Sequence, residues 1–383
     1  MTDIVAAAAA LQPELRARSA EIEQARRLPP DVSAMLARAG LFRMATPKGI
    51  GGLELPPADI FRAIETVSEA DASAGWCVMI GTTSGMTSAW LPPEIARPIF
   101  GPPDVVTCGV FAPMGRAVED GDDYVVNGKW QWASGSANCD WLMGGCAIIA
   151  DGAPKKLPNG ALDSRMLIFP RENVELIDSW NVSGLCGTGS GEMQVKDLRV
   201  RKERSASIVV DRPHAGGALY AFPVFGLLAL GVASVLTGNA KAAVDELVEL
   251  AGGKKPQGSA RVLAERATAQ ATLSENVARL RAARAYMFEA VDIAWEKARA
   301  TGEVALAERA SLRNAATHAA RTALAVTREM YELGGGSSVF LSSPLQRRMR
   351  DASVGAQHMM VAPQTNELTG RYFMGLPTDA SFL

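Results

Sequence analysis

Two short segments of the chain carry residue types that can do chemistry. Residues 127–135 read Asn-Gly-Lys-Trp-Gln-Trp-Ala-Ser-Gly, which places the indole of Trp132 two positions before the hydroxyl of Ser134. Residues 350–358 read Arg-Asp-Ala-Ser-Val-Gly-Ala-Gln-His and end at His358. Histidine exchanges a proton near neutral pH because its ordinary pKa is about 6.5, whereas the thioether of the next residue, Met359, cannot act as a base. The first segment therefore predicts an aromatic ring close to a hydroxyl group, and the second predicts a residue for acid–base chemistry.

The overall composition excludes several classes of function. The 383 residues include 39 Lys and Arg against 41 Asp and Glu, a formal charge of -2, so no long-range field favours nucleic acid or an anionic membrane. The five cysteines are scattered and show no C-x-x-C spacing, which indicates reduced thiols in a cytosolic protein and no metal site. The glycine-rich residues 179–190 lack the Lys-Ser/Thr pair of a phosphate-binding loop.

The elements that must position these segments fall into three regions. Residues 1–103 are rich in Ala, Leu, Glu and Arg and predict a helical N-terminal domain. Residues 104–212 contain short apolar runs separated by turns, which predict a small antiparallel β domain. In residues 213–383 apolar positions recur at alternating spacings of four and three, which predicts a four-helix bundle. The fold class expected is α+β.

One stretch needs a separate decision about membranes. Residues 215–240 contain no charged side chain and satisfy the length for a membrane-spanning helix. The stretch is interrupted by several glycines and Pro223, and it continues into a charged helical pattern, so we predict a buried central helix of the bundle instead. The first 18 residues show no secretory signal, and a cytoplasmic protein is expected.

Three of these segments resemble the acyl-CoA dehydrogenase superfamily. Residues 127–141 match its flavin-contacting strand, with Trp132-Ala133-Ser134 in the place of Trp-Ile-Thr and Asp140 at the family's aspartate. Residues 179–200 are similar to its glycine turn and the strand that follows, and residues 344–352 match its Arg-Asp-Ala signature. The resemblance covers nearly the whole chain and implies an acyl-CoA dehydrogenase-like fold.

The resemblance also implies roles for individual residues. Trp132 would pack against the flavin ring, and Ser134 would donate a hydrogen bond near flavin N5. Gly334 and Gly335 correspond to a glycine turn that in relatives lies near the cofactor of a neighbouring subunit. The residues expected to bind the cofactor are Phe111, Trp132, Ala133, Ser134, Gly334 and Gly335, and those expected to bind substrate are Trp76, Phe225 and Met359.

The reaction expected follows from position 358 and its neighbour. His358 stands where the aromatic hydroxylases of the superfamily have a catalytic histidine, and Met359 stands where many dehydrogenases have their glutamate. The resemblance therefore implies a homotetrameric two-component monooxygenase. It would use O2 and a loosely held reduced flavin, FMN or FAD, supplied by a separate flavin reductase. His358 would act as the base toward a small aromatic or polyketide-like substrate.

Two other functions remain open at this point. The chain could be an acyl-CoA dehydrogenase or oxidase that transfers hydride to tightly bound FAD with a non-standard base. It could also be a bundle without catalytic activity that binds flavin or a partner. Loss of activity in His358→Ala and Ser134→Ala variants would argue against the second alternative.

Overall fold

A computed structural model of the chain describes residues 3–157 and 160–383. Helices form both ends of the chain and a sheet forms its middle, which confirms the α+β class. The N-terminal helices are α1 (Ile4–Ala25), α2 (Pro30–Arg38), α3 (Pro57–Ala70), α4 (Ala72–Met86) and α5 (Pro93–Phe100). The strands are β1 (Thr107–Asp120), β2 (Asp123–Trp130), β3 (Trp141–Ala150), β4 (Ala153–Pro154), β5 (Ser164–Pro170), β6 (Glu175–Ile177), β7 (Glu192–Arg201) and β8 (Ser205–Ala206).

The C-terminal region returns to helix. Its helices are α6 (Ala218–Ala221), α7 (Val224–Gly253), α8 (Ala267–Thr301), α9 (Leu306–Gly334), α10 (Pro344–Gly355) and α11 (Gln364–Phe373). The change from helix to strand falls between Phe100 and Thr107, and the change back falls between Ala206 and Ala218. The exact domain boundaries, 103/104 and 212/213, stay predictions.

Local signals explain where the N-terminal helices begin. The Asp3 carboxylate accepts hydrogen bonds from the backbone N–H groups of Val5 and Ala6, which otherwise have no partner within α1. The Asp71 carboxylate accepts a hydrogen bond from the backbone N–H of Ala74 at 2.8 Å. Asp71 is therefore both the last capping residue of α3 and the first capping residue of α4. Proline occupies the first helical position of α2, α3 and α5, where its missing N–H costs nothing.

The sheet is mixed, and the prediction of a purely antiparallel domain was wrong. The strand order is β6-β7-β2-β1-β3-β5-β8, with β4 paired to β3. The central neighbours β1 and β3 run parallel, with Thr107 opposite Trp141. Residues 131–140 cause this, because they cross the end of β1 instead of turning back beside β2. Two hydrogen bonds of 2.9 Å fasten the crossing, one from Asp140 N to Val106 O and one from Val106 N to Asp140 Oδ2.

Trp130, the last residue of β2, fills the sheet interior. Its ring is fully buried, and its Nε1 donates to the Gly145 carbonyl at 2.7 Å. Gly115, Gly128 and Gly144 line the ring, and a Cβ at any of them would lie 2.4–2.5 Å from a ring carbon. β2 therefore ends with one tryptophan in the core, and the next tryptophan, Trp132, lies two residues beyond the end of the strand.

The apolar stretch predicted as a central helix is α7. By length and composition this helix could cross a membrane, but 83% of its most apolar window is buried inside the protein. It packs against α3, α9 and α10, as predicted for the centre of a bundle. At Gly238 the backbones of α7 and α3 approach so closely that a Cβ would lie 2.3 Å from the Glu65 carbonyl oxygen.

A buried arginine joins the N-terminal helices to the bundle. Arg348 of α10 is 3% exposed and donates to the carbonyls of Ser68, Glu69 and Ala70 at the end of α3, at 2.7–3.1 Å. The same guanidinium pairs with Glu246 of α7 at 3.0 Å. These bonds satisfy carbonyls that have no partner within α3. They also fix α10, and the loop after it, relative to α4.

Candidate active site

His358 lies in the loop after α10 and presents a hydrogen-bond donor. Its Nδ1 accepts from the backbone N–H of Met360 at 3.3 Å, so the proton of the neutral imidazole is on Nε2. No residue in the described part of the chain bonds to Nε2. Burial, and secondarily the positive charge of Arg313, lower the pKa of His358 to about 4. At neutral pH the ring is therefore uncharged, with an N–H available to a ligand.

Trp76 of α4 connects this histidine to the sheet. Its indole lies edge-on to the His358 ring, with centroids 5.6 Å apart. Its Nε1 donates to Ser134 Oγ at 3.1 Å. Trp76 was predicted to bind substrate. The structure places it, buried, between the two predicted catalytic residues, where it sets their relative positions.

Ser134 begins a chain of hydroxyl groups whose direction can be deduced. Thr188 Oγ1 donates to the Leu185 carbonyl at 2.8 Å, because a carbonyl can only accept. Thr188 has then used its only hydroxyl proton, so Ser190 must donate to Thr188 across 2.6 Å. By the same reasoning, Ser134 donates to Ser190, also across 2.6 Å. We call the Ser134–Ser190–Thr188 chain the hydroxyl relay.

The relay leaves Ser134 with a lone pair and no proton to offer a ligand. Its single proton is directed inward to Ser190, and one of its two lone pairs accepts from Trp76. This differs from the donor role that the resemblance implies for Ser134. In this arrangement the Ser134 hydroxyl could only accept a hydrogen bond from a further group.

The Arg-Asp segment of α10 holds the other end of the relay. Asp351 accepts from Leu185 N at 2.6 Å, and Arg350 Nη1 donates to the Ser183 carbonyl at 2.7 Å. Burial raises the pKa of Asp351 to about 7. His358 lies seven residues after Asp351. A path of contacts runs from Leu185 through the hydroxyl relay and Trp76 to His358. Helix α10 and the loop after it therefore position both ends of this path.

A second group of side chains is aromatic and is linked to the histidine loop through Arg313. The Phe225 ring is 5.8 Å from that of Phe111 and 5.1 Å from that of Phe382. Phe111 was predicted to bind the cofactor and Phe225 the substrate, and the structure places the two in contact. Arg313 links this cluster to the histidine loop, since its Nη1 lies 3.3 Å from the Phe225 carbonyl oxygen and 3.9 Å from Met360 Sδ.

Two apolar side chains close in sequence to Ser134 and His358 are exposed. Trp132 is 59% exposed and Met359 is 68% exposed. Trp132 also has a φ of +63°, in the left-handed region, which costs a non-glycine residue about 1–2 kcal/mol. Ala133, predicted to bind the cofactor, is fully buried, and its N–H donates to Gly191 O at 3.0 Å. Strain at an exposed aromatic residue is typical of a ligand site.

Gly334 and Gly335 lie elsewhere in the single chain. Gly334 ends α9, and its carbonyl accepts from the Lys254 ammonium. The distance along the helix from Arg313 is about 30 Å at 1.5 Å per residue. Their expected position near the cofactor of a neighbouring subunit stays a prediction.

Comparison with known proteins identifies the family. Residues 230–363 match the acyl-CoA dehydrogenase C-terminal domain and residues 5–91 match the N-terminal domain. An indole-3-acetate monooxygenase of Pseudomonas putida is 33% identical over 94% of this chain and 90% of its own length. The chain belongs to the acyl-CoA dehydrogenase superfamily, in its flavin-dependent monooxygenase branch.

Two further proteins that are similar to this chain support the same assignment. The oxygenase component of an FADH(2)-dependent resorcinol hydroxylase from Rhizobium is 28% identical, over 96% of this chain and 93% of that protein. The crystal structure of the HsaA monooxygenase from M. tuberculosis superposes with a TM-score of 0.90 at 28% identity and covers 100% of this chain and 99% of that one. These relatives are monooxygenases, so the expected flavin cofactor and oxygenase chemistry are confirmed, and the acyl-CoA dehydrogenase alternative is not supported.

The residues of the monooxygenase fit a flavin. Trp132 offers an exposed flat apolar face, and the Ser134 lone pair suits a ring N–H. N5 of a reduced flavin carries a proton, whereas N5 of an oxidised flavin carries a lone pair. An acceptor at Ser134 would therefore favour the reduced form of a flavin whose N5 lies beside it.

We expect Ser190→Ala to reduce the preference of the monooxygenase for reduced flavin. Without Ser190 the proton of Ser134 is free to turn outward and donate to N5 of oxidised flavin. A hydrogen bond is worth about 0.5–1.5 kcal/mol, so the ratio of the two flavin Kd values should fall by roughly 2- to 10-fold. Anaerobic titrations with reduced and oxidised flavin measure this ratio. Thr188→Ser keeps every hydroxyl and is the control; an unchanged ratio in Ser190→Ala would show that the relay does not set the direction of Ser134.

Three functional residues were missed in the sequence. Thr188 and Ser190 flank Gly189 in the segment where only the glycines were considered, and hydroxyls on both sides of that glycine were the available signal. Arg313 adjoins Leu312 within an otherwise apolar seam of α9, and a charge at such a position was the signal there.

Proposed function

We propose that the chain is the oxygenase component of a two-component system that hydroxylates a small aromatic substrate. The observation that carries this proposal is the path from Ser134 through Trp76 to His358, which joins the predicted flavin-contacting strand to a neutral histidine N–H. The exposed Met359 at the glutamate position of dehydrogenases supports it, because no carboxylate follows His358 in the loop. Relatives named for indole-3-acetate and resorcinol support an aromatic substrate.

The residues of the chain have distinct roles in this proposal. Bound reduced flavin supplies the electrons that activate O2. Trp132 would pack against the flavin ring, and Ser134 would accept a hydrogen bond from the ring N–H. His358 Nε2–H would donate to an oxygen atom of the substrate and so hold the aromatic ring in place. The buried Trp76 keeps these two sites at a fixed separation and excludes water between them.

This role for His358 revises the base expected from the sequence. A base at Nε2 requires a free lone pair there, and the Met360 N–H directs the lone pair of the neutral ring to Nδ1 instead. With a pKa of about 4, the imidazole is also a weak proton acceptor. We therefore assign substrate binding through the N–H to His358.

The assembly and location of the protein belong to the same proposal. We propose a homotetramer, in which neighbouring subunits cover exposed apolar residues of the loop after α9. Val339, Phe340 and Leu341 support this, since they are 59%, 63% and 85% exposed. The five free cysteines, four of them buried, support a cytoplasmic location. FMN and FAD both remain compatible with the site.

Isotope labelling tests the proposed reaction. Purified protein is mixed with photoreduced FMN or FAD, ¹⁸O2, catalase and an aromatic probe such as resorcinol or indole-3-acetate. We expect one ¹⁸O atom in a hydroxylated product by mass spectrometry, and none in a mixture without protein. Unlabelled product, or anaerobic reduction of bound FAD by an acyl-CoA, would contradict the proposal.

A further inference from the structure

Arg313 is a buried cation without a counter-ion. The side chain is 3% exposed, and burial lowers the pKa of its guanidinium to about 10. It forms no ion pair with any carboxylate in the described ranges, 3–157 and 160–383. Its Nη1 makes the contacts with Phe225 O and Met360 Sδ, while the fully buried Nε has no hydrogen-bond partner.

Comparison with the buried Arg348 and the partly buried Arg309 shows how unusual this is. Arg348 is equally buried, but it bonds three carbonyls and the Glu246 carboxylate. Arg309, one turn before Arg313 on α9, donates to the carbonyls of Ala380 and Leu383 at 2.7–2.9 Å. A buried ion that lacks such compensation costs several kcal/mol. Arg313 has no carboxylate partner among the described residues to offset this cost, which points to a ligand that supplies the missing charge.

The guanidinium lies close to His358, the residue proposed to bind the substrate. Arg313 contacts Met360 at its sulfur, and the backbone N–H of Met360 donates to His358, so one residue separates the cation from the histidine. The same Nη1 also donates to the backbone carbonyl of Phe225, whose ring belongs to the aromatic cluster with Phe111 and Phe382.

A second unsatisfied polar group lies on the same helix. Thr317 follows Arg313 by one turn, and its buried hydroxyl has no partner among the described residues. One turn further along this face, Arg321 Nη1 reaches the Ala356 carbonyl near the end of α10 at 3.5 Å. Thr317 therefore lies on the stretch of α9 that passes the histidine loop. Two unsatisfied groups, one of them cationic, are suited to an anion.

We propose that Arg313 binds a carboxylate on the aromatic substrate, and that the natural substrates are therefore aromatic acids with a short acidic side chain. The Nε–H and one Nη2–H form the free edge of the guanidinium, which matches the two oxygens of a carboxylate. The ring of the substrate would lie among the phenylalanines, and Thr317 is placed to donate to the same carboxylate. This inference deepens the proposed function and depends on it for the identity of the pocket.

Matched ligands test the charge requirement by binding alone. Indole-3-acetate and indole-3-acetamide have the same shape and differ by one negative charge, as do phenylacetate and phenylacetamide. Calorimetric titration of the flavin-free protein should show at least one carboxylate bound about 10- to 100-fold more tightly than its amide, the range expected for a charged hydrogen-bonded pair. Equal affinities within both pairs, or no binding by any of the four, would overturn the proposal.

Variants of α9 then locate the effect. Arg313→Gln should abolish the preference for the carboxylate, and Arg313→Lys should retain part of it. Arg328→Gln, at an exposed position farther along α9, is the control and should keep the full preference. Arg313→Gln should not lower the melting temperature of the ligand-free protein, because it removes an uncompensated charge. A preference that survives in Arg313→Gln would show that the anion is bound elsewhere.

The outcomes separate this inference from the proposed function. Binding is measured without flavin or O2, so a protein that discriminates the pairs but incorporates no ¹⁸O keeps the anion site and loses the monooxygenase proposal. A protein that hydroxylates amide and carboxylate with equal kcat/KM keeps the proposed function and loses the anion site.

Discussion

Replacement of His358 by alanine should lower the hydroxylation rate about 10²- to 10³-fold, the cost of removing one donor from a developing or existing oxyanion. His358→Gln should recover most of that loss, because the glutamine amide can place an N–H near the position of Nε2. A base would behave differently, since glutamine cannot accept the proton and would be as inactive as alanine. Single-turnover hydroxylation with reduced flavin and O2 measures the rate.

The pH dependence of the same reaction provides an independent control. A catalytic base with a pKa of about 4 would lose activity as the pH falls through 4, because only its neutral form works. A donor keeps its N–H on both sides of that pKa, so we expect no decline attributable to His358. An inactive His358→Gln variant, combined with a decline in the hydroxylation rate centred near pH 4, would show that His358 acts as a base.

Arg348→Met should destabilise the folded protein by about 3–5 kcal/mol, the usual cost of removing one partner of a buried ion pair. Methionine fills much of the volume but donates no hydrogen bond. The carbonyls of Ser68, Glu69 and Ala70 would lose a donor, and Glu246 would keep a buried charge without its cation. Urea denaturation of the wild type and the variant gives the free energy of unfolding.

A surface arginine supplies the comparison for this variant. Arg328 pairs with Glu332 one turn along α9, at 2.7 Å, and both side chains are exposed. Solvent screens such pairs, so Arg328→Met should leave the denaturation midpoint unchanged. If the two variants unfold at the same urea concentration, the Arg348 contacts do not hold the helical regions together.

The sequence was sufficient for the architecture because its patterns are local. The Ala-, Leu-, Glu- and Arg-rich composition of residues 1–103 and the four-and-three apolar spacing after residue 213 are such patterns, and each predicted helices that are observed. The parallel β1–β3 pair could not be predicted in this way. It depends on the path of residues 131–140 across the sheet, and strand composition does not distinguish that path from a hairpin.

The sequence predicted which residues form the candidate site better than it predicted their chemical roles. Ser134, Trp76 and His358 were named from their segments, and the structure brings them together through hydrogen-bond and ring contacts. The direction of each hydrogen bond was not predictable. It depends on the Leu185 carbonyl at one end and the Met360 N–H at the other, and both are backbone groups that every sequence contains.

The crossing of residues 131–140 over β1 also has a consequence for the order of folding. Ser134 meets Ser190 and Trp76 across 56 and 58 residues of chain, so the β1–β2 hairpin alone cannot assemble the cofactor pocket. Long-range closures of this kind are slow compared with helix formation. During refolding, helical circular dichroism should recover first and the capacity to bind flavin last, which makes cofactor binding a kinetic marker of the completed native state.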